Sequence, residues 1–529
     1  MKICIVAAGL ATRLQPLTNY IPKFLINIGK QTGLVEMVRY WNNYSDEFVI
    51  IVHPKYEALV KAYFEMYFDP SNVKLTIKTI DTALGTAHTI DTALGNEFDG
   101  EEILFTWCDI IPSRKFDINE LDIATSHGDG VAVLTVDNKL NRYKFHNNAL
   151  VQEHGGDVVG LYYMEQYEQF TGKYVEGQDF ADYLTKNFFL NKFELDGIID
   201  FGDKEKLFDV LQSADEAREF NAVEIYDTLV RKYALNDQGR TLIAKEIAWY
   251  KEIFDQGVSV VVPKVFPSLS NDEMIMERVD GCSIYKRFGE LNDADDEIAI
   301  LRAMVTNLDK LHSIKKEVGI NTIISDTKKE AHDKLLTRYE EIKHVIAAFG
   351  TRIDTVNGVH INNNLVEVVG LLFNEISAYY INNNVTEYSL IHGDLQMSNS
   401  MVSYHDNDNV TFIDPRGYFG NTQNYGLPDY DIAKVLYSLS GYDLFNYSKS
   451  FHISSINETE IKFEIPRPNY DDLTASSIDG YFEPIHYLWL AVIWIGLAGY
   501  IKNNPVKSVA AHYHGLAYAQ KVLNKDYSL

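Results

Sequence analysis

Short apolar runs rich in β-branched and aromatic residues punctuate the first half of the chain. Residues 2–7 (KICIVA), 48–52, 103–109 and 158–164 carry no polar alternation. That pattern predicts strands buried on both faces of a sheet; residues 73–77 predict one more strand. Longer mixed stretches between them make this an α/β arrangement. From residue 220 the rhythm changes. Residues 220–225 and 228–233 alternate as the arms of a hairpin. Residues 241–252, 301–312, 328–347 and 365–380 then read as helices, and the short strands 389–391 and 410–413 follow. Residues 487–501 are apolar all round but shorter than the roughly 20 residues needed to cross a bilayer, so a buried helix is expected. Between the two regimes, residues 204–219 are polar, acidic and helix-like, with no Pro/Gly/Ser linker. One boundary near residue 213 is predicted, giving domains 1–212 and 213–529. The second divides into a small lobe, 213–285, and a helical large lobe, 286–529.

Composition narrows the partners. The 529 residues carry a net charge of −27, which argues against a nucleic-acid backbone as ligand. Anionic substrates must be met by local basic groups. Cys4, Cys108 and Cys282 lie far apart, without disulfide or zinc spacing. A reducing, cytoplasmic setting is expected, with small-molecule substrates, no direct membrane insertion, and an oligomer left open. Met1 and Lys2 run straight into the first strand, so no signal peptide is expected.

Two clusters carry chemistry. The strand at 389–391 leads into His392, Gly393 and Asp394. Asn399 follows, and the next strand delivers Asp414. An acid to orient a hydroxyl, and an amide plus a second acid to hold Mg²⁺ on phosphates, suit phosphoryl transfer from ATP. Asp and Asn also favour plain turns, but both halves at this spacing are more specific. Near the N-terminus, the small-residue loop Ala8, Gly9, Leu10, Ala11, Thr12 follows the first strand. Its N–H groups suit a triphosphate, with Arg13 and Lys23 supplying charge. Asp109 ends an apolar run, where ligands bind in open α/β sheets.

The segment 391–417 resembles the aminoglycoside phosphotransferase/choline kinase family, whose signature is HGD-L-(x)3-N followed by I-D-x-x-G. The resemblance implies that Asp394 is the catalytic base and that Asn399 and Asp414 hold Mg²⁺. It also implies that Lys232 reaches the ATP phosphates with Glu246 as its ion-pair partner. Arg231 and Lys245 leave that register open by one residue. Backbone groups from Glu277 to Val279 would meet adenine, and His392 would brace the loop. Asp431 either anchors the catalytic loop or is simply an acid at a helix start.

Residues 7–23 (AAGLATRLQPLTNYIPK) resemble the start of the sugar-phosphate nucleotidyltransferase family. Ala8, Gly9, Leu10, Ala11 and Thr12 would then cradle an NTP, with Arg13 and Lys23 as catalytic cations. Gly85 and Thr86, within LGTA, would lie near base and sugar, while Asp109 and Asp200 would hold Mg²⁺. The motif departs at Ala11, where the family has glycine; the methyl group disfavours positive φ.

Together the resemblances imply a Rossmann-like, mixed-sheet α/β nucleotidyltransferase domain followed by a two-lobed, protein-kinase-like α+β domain. The expected enzyme phosphorylates a sugar or polyol with ATP, then transfers NMP from CTP or UTP onto the phosphomonoester. The product would be an NDP-linked precursor for surface glycan, with Mg²⁺ at both sites. An alternative pairs a choline- or ethanolamine-type kinase with a CTP-dependent cytidylyltransferase. Another class, a scaffold with one inactive domain, rests only on Ala11.

Overall fold

The structure is a computed structural model. It describes residues 1–9, 22–28, 31–121, 130–136, 141–203, 206–207, 210, 220–266, 272–291, 294–349, 353–447, 453–457, 459–465 and 481–529. The chain forms two compact units. One is 1–216 with 343–350 and 503–506; the other is 217–342, 351–502 and 507–529. The single expected boundary is therefore joined by two short returns to the first unit, because compactness in space, not chain order, decides membership. The acidic stretch 204–219 lies mostly outside the described residues.

The first unit is organised by β1 (Lys2–Val6), α1 (Gly33–Trp41), β2 (Glu47–Val52), β3 (Lys74–Thr79), α2 (Thr86–Leu94), β4 (Ile103–Trp107), β5 (Ile110–Pro112), β6 (Gly130–Val136), β7 (Val158–Met164), β8 (Phe189–Leu195) and β9 (Ile198–Asp200). Seven strands form one sheet in the order β8-β6-β7-β4-β1-β2-β3. β1 runs parallel to β2 and β4, whereas β7 lies antiparallel between β4 and β6. The sheet is therefore mixed. The central strands are almost wholly apolar because both their faces are buried, whereas edge strand β3 alternates, exposing Lys74, Thr76 and Thr79. β5 and β9 form a separate antiparallel ribbon that sets Asp200 opposite Ile110.

The second unit opens with β10 (Asn221–Ile225), β11 (Leu229–Ala234), α3 (Asp237–Gln256), β12 (Val265–Phe266) and β13 (Glu273–Glu277). The strands make an antiparallel sheet ordered β10-β11-β13-β12. Asn236 caps α3 by accepting from Gly239 N–H at 2.9 Å, and Gly257 ends it at φ 66°. The rest of the chain contains α4 (Ala294–His312), α5 (Ile320–Lys328), a π-helical turn (Lys329–Asp333), α6 (Lys334–Phe349), α7 (Leu365–Asn382), β14 (Glu387–Leu390), β15 (Ser400–Ser403), β16 (Val410–Phe412), α8 (Pro428–Leu439), α9 (Pro484–Tyr500) and α10 (Pro505–Leu523), the end of α6 and the start of α10 being counted with the first unit. α9 is the apolar stretch foreseen as a buried helix. Its Trp489 and Trp494 are fully buried and donate to Tyr380 and Ser440. Among the described residues no helix is long and apolar enough to cross a membrane. The aromatic run of α10 packs into the core. The His514 ring lies 4.7 Å from Trp494, and a Cβ on Gly515 would meet Ile495 N at 2.6 Å. Cys4 and Cys282 are buried free thiols; Cys108 is partly exposed.

Candidate active sites

In the first unit, β4 stops at Trp107, so Asp109 sits in the turn to β5 and not at a strand end. The β5–β9 ribbon then brings Asp200 alongside, and Phe201 N–H donates to the Asp109 carbonyl at 3.1 Å. The three predicted residues Asp109, Asp200 and Lys23 converge on Gly202. A Cβ there would meet Asp109 Oδ2 at 2.5 Å, Asp200 Oδ1 at 3.0 Å and Lys23 Nζ at 3.5 Å. Lys23 pairs with Asp109, and Lys206 with Asp200 at 2.6 Å. Two carboxylates facing one small space are a donor set for Mg²⁺, which takes one or two carboxylates beside substrate phosphates. Ala8 is buried and Gly9 exposed at the end of β1. Leu10, Ala11, Thr12 and Arg13 lie outside the described residues. Gly85, at φ 93°, begins α2 pressed against the Gln178 carbonyl, and the Thr86 hydroxyl accepts from Phe180 N–H at 2.7 Å. Both therefore hold the helix start in place as well as marking it.

In the second unit the register settles on Lys232. Its side chain points inward, pairing with Glu246 of α3 at 2.5 Å and with Asp414. Arg231 points outward to Glu273 and Glu224. Burial works against the charge of Lys232, but Asp414 and Glu246 outweigh it and raise its pKa. Asp414 takes φ 60°, a conformation that aspartate tolerates better than most residues. Asn399 Nδ2 donates to the Asp394 carbonyl at 2.9 Å and lies 3.3 Å from Asp394 Oδ2. Lys434 Nζ is 2.8 Å from Asp394 Oδ1. Burial would raise the Asp394 carboxyl, yet Lys434 holds it below the usual carboxylate range. Asn399 and Asp414 offer one amide oxygen and one carboxylate, a fit for Mg²⁺ completed by nucleotide phosphates. Glu277 N–H is spent on the Lys264 carbonyl and Arg278 N–H on that of Thr228. Any adenine contact at Glu277 thus falls to its carbonyl; Val279 is half-buried just beyond.

Two family models match the chain. Residues 2–141 match the nucleotidyl transferase family and residues 223–445 the phosphotransferase enzyme family APH. The chain is a nucleotidyltransferase fused to a kinase-type phosphotransferase. Among solved structures, it is similar to a Bacillus anthracis protein described as a glucose-1-phosphate thymidylyltransferase, in complex with sucrose. Identity is 20%, with 42% of this chain and 98% of that one covered, at TM-score 0.34. HddC from Yersinia pseudotuberculosis, complexed with GMP-PN, matches at 17% identity over 40% and 98% of the two chains, at TM-score 0.33. No curated protein matches.

The phosphotransferase loop is braced from several sides. The buried Asp431 carboxylate accepts from His392 N–H and Gly393 N–H, each at 2.7 Å, and lies 3.2 Å from His312. Both of its readings are seen: it lies in the first turn of α8, and from there its carboxylate anchors the loop. His392 Nε2 lies 2.9 Å from the Ile413 carbonyl and its Nδ1 accepts from Asp394 N–H. Burial lowers the His392 pKa and keeps the ring neutral for this brace. Trp249 of α3 donates to the Ile391 carbonyl at 2.7 Å. Arg416 is held by Glu330 at 2.5 Å and stacks on Tyr418. In the transferase domain, half-buried Trp107 fits its indole where Gly160 lacks a side chain. Lys206, Lys434, Arg416, Glu330 and Trp107 escape a sequence reading. Lys434 and Asp431 did carry a signal, since three residues apart on a helix share a face.

Proposed function

We propose that the chain is a two-step activating enzyme for a sugar or polyol. The phosphotransferase domain moves the ATP γ-phosphoryl group to a hydroxyl, and the transferase domain couples the resulting phosphomonoester to NMP from CTP or UTP. The observation that carries this reading is that each unit gathers acids and lysines, Asp109, Asp200, Lys23 and Lys206 in one and Asp394, Asp414 and Lys232 with Asn399 in the other; in the reading, the product class of the first reaction is the substrate class of the second. In the kinase step the acceptor oxygen bonds to the γ-phosphorus as the bond to the bridging oxygen breaks. ADP leaves and Asp394 takes the hydroxyl proton. In the transfer step a phosphomonoester oxygen, already anionic, attacks the α-phosphorus and pyrophosphate leaves. No general base is needed there; Lys23 and Lys206 offset the repulsion between anions. Mg²⁺ held by Asp109 and Asp200, and by Asn399 and Asp414, would neutralise phosphate charge. The flat apolar indole of Trp107, two residues from Asp109, suits the C–H face of a sugar ring. An NDP-sugar or NDP-polyol so made would serve surface glycan synthesis, and a cytoplasmic location follows from its nucleotide substrates. A panel of sugars, polyols and amino alcohols tested for ATP-dependent ADP release decides the acceptor class. Mass spectrometry then identifies the nucleotide-linked product. Turnover of amino alcohols alone would overturn the sugar assignment.

A further inference from the structure

Two side chains of α8, one turn apart, reach the same loop by different means. Asp431 fixes the backbone of His392 and Gly393. Lys434, three residues on, fixes the side chain of the next residue, Asp394, at 2.8 Å. Lys434 is only 9% exposed. A buried ammonium is costly unless paired, and an apolar side chain would pack there without that cost. Its Nζ also lies 5.1 Å from the centre of the Tyr437 ring, whose face is attractive to a cation. The Asp394 carboxylate is thus divided: Oδ1 faces Lys434, while Oδ2 faces the Asn399 amide. With its N–H₂ turned to Asp394, Asn399 keeps its carbonyl oxygen for a hard cation.

We propose that Lys434 is a positioning residue of phosphoryl transfer, holding Asp394 in the orientation that meets the acceptor hydroxyl and setting a fixed positive charge beside the path of the γ-phosphoryl group. The inference rests on the kinase reading above. Lys434 gains and loses no proton in the step already written; the hydroxyl proton goes to Asp394 and on to solvent. Its contribution is preorganised charge. Negative charge spread over the transferring oxygens meets an ammonium that needs no reorganisation.

The test uses the full chain, Mg·ATP and the acceptor that turns over fastest in the panel above, with ADP release as readout. Lys434→Met is expected to lower kcat about 10²-fold while leaving the KM for ATP within about twofold. Lys434→Arg is expected to recover at least about tenfold of that loss, and methylammonium to restore part of the activity of Lys434→Ala. Pyrophosphate release by the same samples reports that the first unit is intact, and an unchanged thermal midpoint that the second unit, which carries Lys434, is folded. The proposal is overturned if Lys434→Met keeps kcat within about threefold, if its loss lies only in KM for ATP, or if neither arginine nor methylammonium rescues it. Asp394→Asn separates the two levels. Should ADP release survive that change, the kinase reading itself fails. Should Asp394→Asn abolish it while Lys434→Met does not, only the role of Lys434 fails.

Discussion

Lys232 stands between Glu246 and Asp414, and its removal would leave two acids facing each other near the nucleotide phosphates. Lys232→Met is expected to lower the rate of ADP release at least about 10²-fold, because phosphoryl transfer depends on fixed charge. Arg231→Met, one residue away, removes only half-exposed ion pairs, typically worth less than about 1 kcal/mol. Its ADP release and thermal midpoint should stay near wild type. The pair thus tests the register that the sequence left open: alternation fixed which residues lie on opposite faces, but not which face was inner. His512 provides a different residue-scale test. Burial pushes its pKa down to about 4, and its ring stacks on Tyr339. The folded state therefore refuses a proton that the unfolded chain accepts near 6.5. Its share of stability is whole above pH 6.5, falls as the pH drops, and is fully lost below about 4. At about 1.4 kcal/mol per pH unit, wild type should lose on the order of 3 kcal/mol more than His512→Phe between pH 7 and 4. Urea titrations at the two pH values measure this.

At the level of elements, the helix pair α5–α6 is interrupted by the π-helical turn, and two buried acids at that junction clamp the segment after Asp414. Asp326 accepts from Asn421 N–H, the Thr422 hydroxyl and the Tyr388 hydroxyl; Glu330 accepts from Gly420 N–H and Arg416. Burial would raise the Glu330 carboxyl, but Arg416 and Lys334 hold it far below its usual value. Glu330→Gln leaves Arg416 without its charge partner and should destabilise the fold by about 3–5 kcal/mol, read as a lowered midpoint in denaturant. Gly420 has φ 58°, and a Cβ there would lie 2.5 Å from that of Asp326. Gly420→Ala should therefore slow ADP release and expose residues 416–422 to limited proteolysis. The helix read over 365–380 was legible, whereas the one read over 328–347 begins only at Lys334, because residues 329–333 form the π-helical turn. The clamp was not. Asp326 and Glu330 look like the solvated face of a helix until a segment about ninety residues further on folds against them.

Across the whole molecule, the two proposed chemistries draw on separate sets of residues. Asp109→Asn should abolish pyrophosphate release and leave ADP release intact; Asp394→Asn should do the reverse, both assayed on the full chain with supplied substrates. Loss of both activities together, with folding retained, would show that the sites are not independent. The acids of each site were readable because they sit in short, ordered motifs: His-Gly-Asp with Asn399, and the strand-bounded Asp109. Their basic counterparts were harder to read. Lys206 and Lys434 lie in helical stretches where lysine is common, and only the folded chain shows which carboxylate each one faces. That arrangement shapes how a protein of net charge −27 admits nucleotides. Lys23, Lys206 and Lys232 rest on Asp109, Asp200 and Asp414, the carboxylates proposed above to hold magnesium. On the proposed function, docking a metal–triphosphate would be an exchange of salt-bridge partners: Asp109, Asp200 and Asp414 would hold the divalent ion, and Lys23, Lys206 and Lys232 would turn to the phosphates. Little uncompensated charge would then be created on loading or left behind on release, so each site would bind and discharge a highly anionic guest without having to unfold around it.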